Sequence, residues 1–506
     1  MPNDDSRFRV GLDVDTGVRR SREEEAPRRM ESEHGYCIAV LGDFSGRGSR
    51  GAKATGREVA VRRPLRVDRD NLDDVLGDLE ARLRVELIPG ASPIEIPFAS
   101  LEDFHPDRLY ERLTVFRNLR DSRHRAATTA DILPAAPSRP AQRPAGDLLE
   151  AMLGDSPALP GGAALATPPS VPTGDYRPPG DRSLEEFVQR AVAPHLAAEP
   201  SRRAAEAEAR IDGVIEALMR VLLHHPGFQG LEAAWRGVDF LIRRLETDEK
   251  LRVYLIDVSR EELEADLAID GAEGTGAIRQ LLVDKSSGTP GGIRWSLIVG
   301  CYSFGDESSD FGILERLASV AAAADAPFIS AASATLAGSR GLALEPDPDD
   351  WTHAVSAEWD RLRRSPLAAH IGLTFPRILL RLPYGAETDA CEDMTFEEMA
   401  PNTPPEHESY LWGSGAFAYA LHLAESFASP GPILRGKVTD LPLHIWRANG
   451  EATATPCAEI LISERAAERV IAAGLMPLLS VRDTDEVILP RIQSIGSEVR
   501  RLAGGR

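Results

Sequence analysis

LRVYLIDV (Leu251–Val258), WSLIVGCY (Trp295–Tyr302) and PFISAAS (Pro327–Ser333) are short, nearly unbroken apolar runs. Helical spacing fills the intervals between them, from Arg260, near Ile278 and from Phe311. A strand apolar on both faces needs cover on both faces. Alternation of such strands with helices predicts an α/β fold with α+β elements, its mixed sheets flanked by helices. ILLRLPYG (Ile378–Gly385) and CAEILIS (Cys457–Ser463) extend the pattern as strands. Helices are expected over Ala416–Phe427 and after Ser463.

Just upstream, Ile211, Val214, Ile215, Leu218 and Leu222 fall on one helical face, and Pro226 with Gly227 breaks it. Leu231, Trp235, Val238, Leu241, Ile242 and Leu245 form the face of a second helix. A helical hairpin therefore precedes the first run.

A separate pattern begins at Tyr36. CIAVLGDF reads as a buried strand and turn, and VAVRRPLRV as a second strand that Pro64 confines to an edge or bend. In DRDNLDDVLGDLEARL, the spacing of Leu72, Val75, Leu76, Leu79 and Leu83 predicts a helix, with Asp68 or Asp70 as its cap. RVELI and IEIPF read as strands, and a short helix follows DFHPD.

Residues 128–180 are rich in Pro, Ala and Gly, with prolines recurring from Pro134 to Pro179. Such composition reads as a disordered linker. One island within it, GDLLEAMLGD, carries Leu148, Leu149 and Met152. It reads equally as a docking helix and as a transient helix without a partner. In the charged residues 1–33, Phe8, Val10, Leu12 and Val14 alternate with polar residues, as a strand seeking a partner sheet does.

The chain has 506 residues and a formal net charge of −21, so it needs more than one ordinary core and repels nucleic acid and anionic lipid. No apolar run reaches membrane-helix length, and the start has no signal-type core. Cys37, Cys301, Cys391 and Cys457 lie far apart without CxxC spacing, as buried thiols of a reducing cytoplasm do.

Candidate chemistry is sparse. GDFSGRGSRG (Gly42–Gly51) lacks the P-loop spacing and has no amphipathic helix directly behind it. His224 and His225 are adjacent and diverge on a helix, so they cannot chelate one metal together; a helix end is the better reading. Ser414 lies at a helix start, and Glu392, Asp393, Glu397 and Glu398 read as a solvated acidic face. No catalytic residue, cofactor or metal site is expected, and the chain reads as a non-enzyme.

Two motif sets carry a resemblance. LGDFSGR (Leu41–Arg47), VDRDNLDDVL (Val67–Leu76) and FASLEDFHPDRLYERL (Phe98–Leu113) resemble the small sheath subunit of type VI secretion systems. LLHHPGFQGLEAAWRGVDFL (Leu222–Leu241), APFISAAS (Ala326–Ser333), HIGLTFPRILLRLPYG (His370–Gly385), FEEM (Phe396–Met399) and GLMPLL (Gly474–Leu479) resemble the large subunit, in family order. The motif residues are Asp43, Phe44, Asp103, Phe104, His105 and Pro106 in the first set. In the second they are His225, Pro226, Phe228, Leu231, Glu232, Trp235, Arg236, Gly237, Pro376, Arg377, Pro383, Tyr384 and Gly385.

The resemblance implies four parts: an arm (1–33), a small-subunit-like domain (34–127), the linker (128–180) and a large-subunit-like domain (181–506) without the family's C-terminal extension. It implies a cytoplasmic contractile sheath around an inner tube. The implied partners are other sheath subunits, the inner-tube protein, baseplate components and a recycling AAA+ ATPase, with no nucleic acid and no membrane insertion. Phe8, Val10, Leu12, Val14, Leu148, Leu149 and Met152 are the assembly candidates. The alternatives are a non-polymerising sheath-like adaptor and, supported only by the glycine-rich loop, a nucleotide-binding α/β enzyme.

Overall fold

β1 (Tyr36–Gly42) runs through the middle of a seven-stranded sheet in the computed structural model. The structure describes residues 35–129, 200–269, 276–287, 292–342, 345, 347–428, 436–498 and 501–504. The expected arm strand, the island around Leu148, Leu149 and Met152, and nearly all of the expected linker lie outside them.

The remaining strands of the sheet are β2 (Leu65–Val67), β5 (Leu251–Asp257), β6 (Leu297–Phe304), β7 (Phe328–Ala332), β8 (Ile371–Phe375) and β14 (Leu475–Pro477). Their order is β14-β8-β7-β6-β1-β5-β2, parallel throughout except for the antiparallel edge strand β2. Side chains alternate between two cores, as period two requires. Ile38, Val40, Val253, Leu255, Leu297 and Val299 face one. Cys37, Ala39, Leu41, Tyr254, Ile256 and Ile298 face the other.

Smaller strands complete the chain. β3 (Arg82–Val85) pairs with β4 (Ile94–Pro97), and β9 (Ile378–Leu379) with β10 (Trp412–Gly413). β11 (Gly436–Val438), β15 (Leu479–Ser480) and β16 (Val487–Leu489) form a three-stranded sheet. β12 (Ile445–Ala448) and β13 (Glu451–Ala454) form a hairpin whose Asn449-Gly450 turn has positive φ at both residues.

The helices named below are α1 (Arg57–Ala60), α2 (Leu72–Asp78), α3 (Pro106–Arg112), α4 (Thr114–Thr129), α5 (Pro200–Leu223), α6 (Pro226–Arg244), α7 (Arg260–Ile269), α8 (Ser308–Ala324), α9 (Ala357–Arg364), α10 (Ala416–Ala428) and α11 (Glu464–Ala472); short helical turns at Ala277–Arg279, Lys285–Ser287 and Ala334–Ala337 accompany them. Buried residues of α6 and α10 join the first core, and those of α7, α8, α9 and α11 the second. The helical hairpin is present as α5 and α6.

Several local readings need correction. Val59 and Ala60 are helical, and the second strand starts only after Pro64, at the sheet edge. α2 stops at Asp78 because Glu80 takes φ +47, so Leu83 lies on β3. Neither Asp68 nor Asp70 caps α2: Asn71 holds the N-cap position, and the Asp68 carboxylate accepts the amides of Asp70 and Asn71. The core strand near HIGLTFPRILLRLPYG is Ile371–Phe375, and Ile378–Leu379 is only a two-residue strand. CAEILIS is not a strand. Its backbone meets Arg377 and Leu379 at isolated bonds, and Ser463 caps α11.

Candidate functional site: a shared sheet and a buried ionic core

The two segments that carry the motif sets meet along β1. All seven of its residues pair with Leu251–Asp257 of β5, and Ile38–Leu41 pair with Leu297–Gly300 of β6. An apolar strand flanked on both sides leaves no backbone edge to water. Where the chain leaves β1, the Trp235 indole donates a 2.9 Å hydrogen bond to the Phe44 carbonyl, and the two rings meet edge-on at 5.3 Å. Phe98 and Phe104 stack at 4.2 Å, and Phe228 closes the cluster edge-on. Leu231 and Gly237 lie on the buried side of α6.

His-Pro is used twice, once in each set, as a helix start. His105 caps α3 and His225 caps α6, each Nδ1 accepting the amide two residues on, at 3.2 and 3.1 Å. Pro106 and Pro226 take the first helical position, where the missing amide costs nothing. Burial pushes the His225 pKa down, which favours the neutral ring that can accept. His224 and His225 thus follow the C-terminal end of α5, as expected from the sequence, and His225 also opens α6, because Pro226 begins a helix as well as ending one.

Beneath α6 lies an ionic core. Arg381, 8% exposed, forks onto Glu232 at 2.8 and 3.4 Å and onto Glu398 at 2.7 and 3.1 Å. Arg236 donates to Glu232 at 2.7 Å and to the Tyr384 hydroxyl at 3.1 Å, and the Tyr384 amide donates to Glu398 at 2.8 Å. Burial raises the Glu398 pKa, but Arg381, His224 and the Tyr384 amide outweigh it and hold the group at about 2. Glu398 was expected on a solvated face; it is 2% exposed, and its cation comes from Arg381, 17 positions earlier. Glu397 accepts the Ala386 amide at 3.0 Å, which fastens the turn of Pro383, Tyr384 and Gly385.

A second ion pair, with a buried carboxylate and a partly exposed arginine, follows Pro376. Arg377 donates to Glu459 at 2.7 Å, and His407 approaches the same carboxylate at 3.1 Å. Burial pushes the Glu459 pKa up, yet His407 and Arg377 bring it down to about 2. In the first set, Asp103 accepts the amides of Ala99 and Ser100 and pairs with Arg112.

The loop after β1 is already full. Asp43 accepts the amides of Arg47 and Gly48 at 2.6 and 2.8 Å, and Asp257 accepts the Ser45 amide and hydroxyl at 3.0 and 2.7 Å. The donors a phosphate would need are bound to the protein's own carboxylates. Gly46 has φ +72, and a Cβ there would lie 2.1 Å from the Arg82 carbonyl. The glycine serves close packing of the loop on β3.

Arg62 forks onto Glu262 at 2.6 and 2.7 Å, and Arg123 onto Asp212 at 2.8 and 3.2 Å. Both pairs join the first segment to the second. Sequence reasoning missed them because each partner lies far along the chain. Among the described residues, one group could hold a metal ion: His105, Asp107 and Cys391. Phe8, Val10, Leu12 and Val14 lie outside the described residues, as do Leu148, Leu149 and Met152.

Comparison with known proteins agrees with this division. The family described as "Type VI secretion system, VipA, VC_A0107 or Hcp2" matches residues 18–133. The family described as "EvpB/VC_A0108, tail sheath N-terminal domain" matches residues 206–496, more than half of the chain. The chain belongs to the type VI secretion sheath family. It is also similar to the type VI secretion system sheath protein TssC1 of Pseudomonas aeruginosa (strain PAO1), 33% identical over 346 residues, covering 63% of this chain and 69% of that protein. In this sheath-family chain, small- and large-subunit sequences share one sheet. No helix among the described residues is long and apolar enough to cross a membrane.

Proposed function

We propose that this chain is a structural subunit of a contractile sheath, supplying small and large parts at one to one from a single polypeptide. It assembles in the cytoplasm around an inner tube and contracts to drive that tube outward. Its partners are further sheath subunits, the inner-tube protein, baseplate components and a recycling AAA+ ATPase. The observation that carries this reading is β1: the small-subunit-like segment provides a central strand of the large-subunit-like sheet along seven paired residues. The role is mechanical, and the reading assigns the chain no catalytic residue or cofactor. Covalent linkage keeps the two parts at high effective concentration for each other.

Negative-stain microscopy of the purified chain, alone and with its inner-tube protein, tests the proposal. Tubular polymers are the expected result. Discrete particles under both conditions would replace it with a non-polymerising adaptor. Deletion of residues 1–15, followed by sedimentation, tests the arm of Phe8, Val10, Leu12 and Val14 as a link between copies. Assembly is lost while circular dichroism stays unchanged; normal polymers from the truncated chain would remove the arm from the mechanism.

A further inference from the structure

We propose that His105, Asp107 and Cys391 form a site for a zinc-class divalent cation that clamps the small-subunit-like segment onto the large one. The three offer one ligand atom each, all within 4.8 Å of one another, and all three residues are half-buried. His105 and Asp107 open α3, whereas Cys391 lies on the loop beyond the Pro383–Gly385 turn. His105 Nδ1 and Asp107 Oδ2 are 3.6 Å apart. Adjacent ligands around a tetrahedral zinc ion stand about 3.3–3.7 Å apart, given the usual bond lengths.

The surroundings prepare each ligand. His105 Nε2 faces the Asp389 carboxylate at 4.0 Å. A carboxylate at that nitrogen favours the tautomer protonated there and leaves the Nδ1 lone pair for the ion, the arrangement common around metal-bound histidines. That lone pair now accepts the Asp107 amide at 3.2 Å, a short-range contact the ion would replace. Asp107 accepts the amides of Glu392 and Asp393 at 2.8 and 3.2 Å, which fixes its carboxylate and leaves a further lone pair on each oxygen.

Cys391 stands among the carboxylates of Asp107, Asp389, Glu397 and Glu398, whose combined field attracts a cation. On binding, its thiol releases a proton to solvent and ligates as thiolate. Nitrogen, oxygen and sulfur donors together suit zinc and disfavour magnesium or calcium. Three protein ligands leave the fourth position to water. Cys391 lies 286 positions beyond His105 and 284 beyond Asp107, so no spacing motif announces the site.

The test uses the full chain, stripped with chelator and titrated with Zn²⁺ and with Co²⁺ as a spectroscopic probe. One equivalent binds, Zn²⁺ raises the thermal midpoint, and Co²⁺ produces a sulfur-to-metal charge-transfer band. Cys391→Ser keeps its circular dichroism spectrum, loses the band and binds Zn²⁺ at least tenfold more weakly. Asp389→Asn keeps the band and weakens binding about tenfold, as loss of an outer carboxylate does. Absence of stoichiometric binding overturns the proposal, as does binding without the band. A band that survives in Cys391→Ser assigns the ion to Cys37, Cys301 or Cys457 and equally overturns it.

Discussion

The Trp235 indole and the Phe44 backbone carbonyl are joined by a 2.9 Å hydrogen bond between residues 191 positions apart. Both residues are fully buried, so neither group has water as an alternative partner. Trp235→Ala should cost about 3–5 kcal/mol through the cavity and lost burial. Trp235→Phe keeps most of the volume and should cost about 1–3 kcal/mol, the penalty of orphaning a buried carbonyl. Denaturant unfolding of the three proteins measures both. An unchanged midpoint for Trp235→Ala would show that this contact does not hold the segments together.

The ionic core makes stability fall in acid. Glu398 and Glu459 each have a folded-state pKa of about 2, below the ordinary glutamate value. A depressed pKa stabilises the fold above the unfolded value and loses that contribution as pH falls through the folded one. The window therefore runs from about pH 5 down to about pH 2, with up to about 3 kcal/mol at stake per group. Glu398→Gln should flatten the fall in unfolding free energy between about pH 5 and about pH 2. A slope identical to that of the parent protein would count against the pairing with Arg381. Arg381→Ala should cost about 3–5 kcal/mol at neutral pH, because it removes the arginine from buried Glu398 and leaves Glu232 with Arg236 alone.

Much of the architecture follows from local patterns. Unbroken apolar runs mark β1, β5, β6 and β7, and the 3.6-residue period marks α5, α6 and α10. The two family motif sets then place Trp235, Phe44 and Tyr384 in one protein. What local patterns conceal is which distant groups meet. Glu398 looks like part of an acidic surface until Arg381 is brought beneath it. The strand reading of CAEILIS failed for a related reason: its apolar residues pack on the core while the backbone finds only isolated partners. Asn449-Gly450 carries a hairpin-turn signal, but the flanking strands β12 and β13 are mostly exposed and lack the apolar face that would mark them as strands.

Gly237 supplies a steric test of the α6–α10 contact. A Cβ at this position would lie 2.1 Å from the Phe417 ring, which is 1% exposed and has no room to move. Gly237→Ala gains about 1 kcal/mol of helix propensity. Overpacking typically costs about 1–3 kcal/mol and should outweigh that gain. The substitution is therefore destabilising, whereas Gly230→Ala, with open space around its Cβ, should stabilise. Thermal unfolding of the two variants distinguishes them by the sign of the shift.

The last prediction concerns the connection between α4 and α5. β1 lies between β5 and β6, with the Arg62–Glu262 and Arg123–Asp212 pairs crossing between the same two segments. Removing β1 would open the sheet at its centre and expose unpaired backbone on two strands, a far larger cost than cutting a covalent tether. A specific protease site inserted between Pro134 and Pro179 should therefore be cleavable without dissociation. The two fragments should co-elute on gel filtration and retain the circular dichroism spectrum of the uncut chain. Once denatured, they should recombine only above a concentration threshold, because cutting converts an intramolecular encounter into a bimolecular one. Fragments that separate under native conditions would show that the tether, and not the shared sheet, keeps the small-subunit-like segment in place.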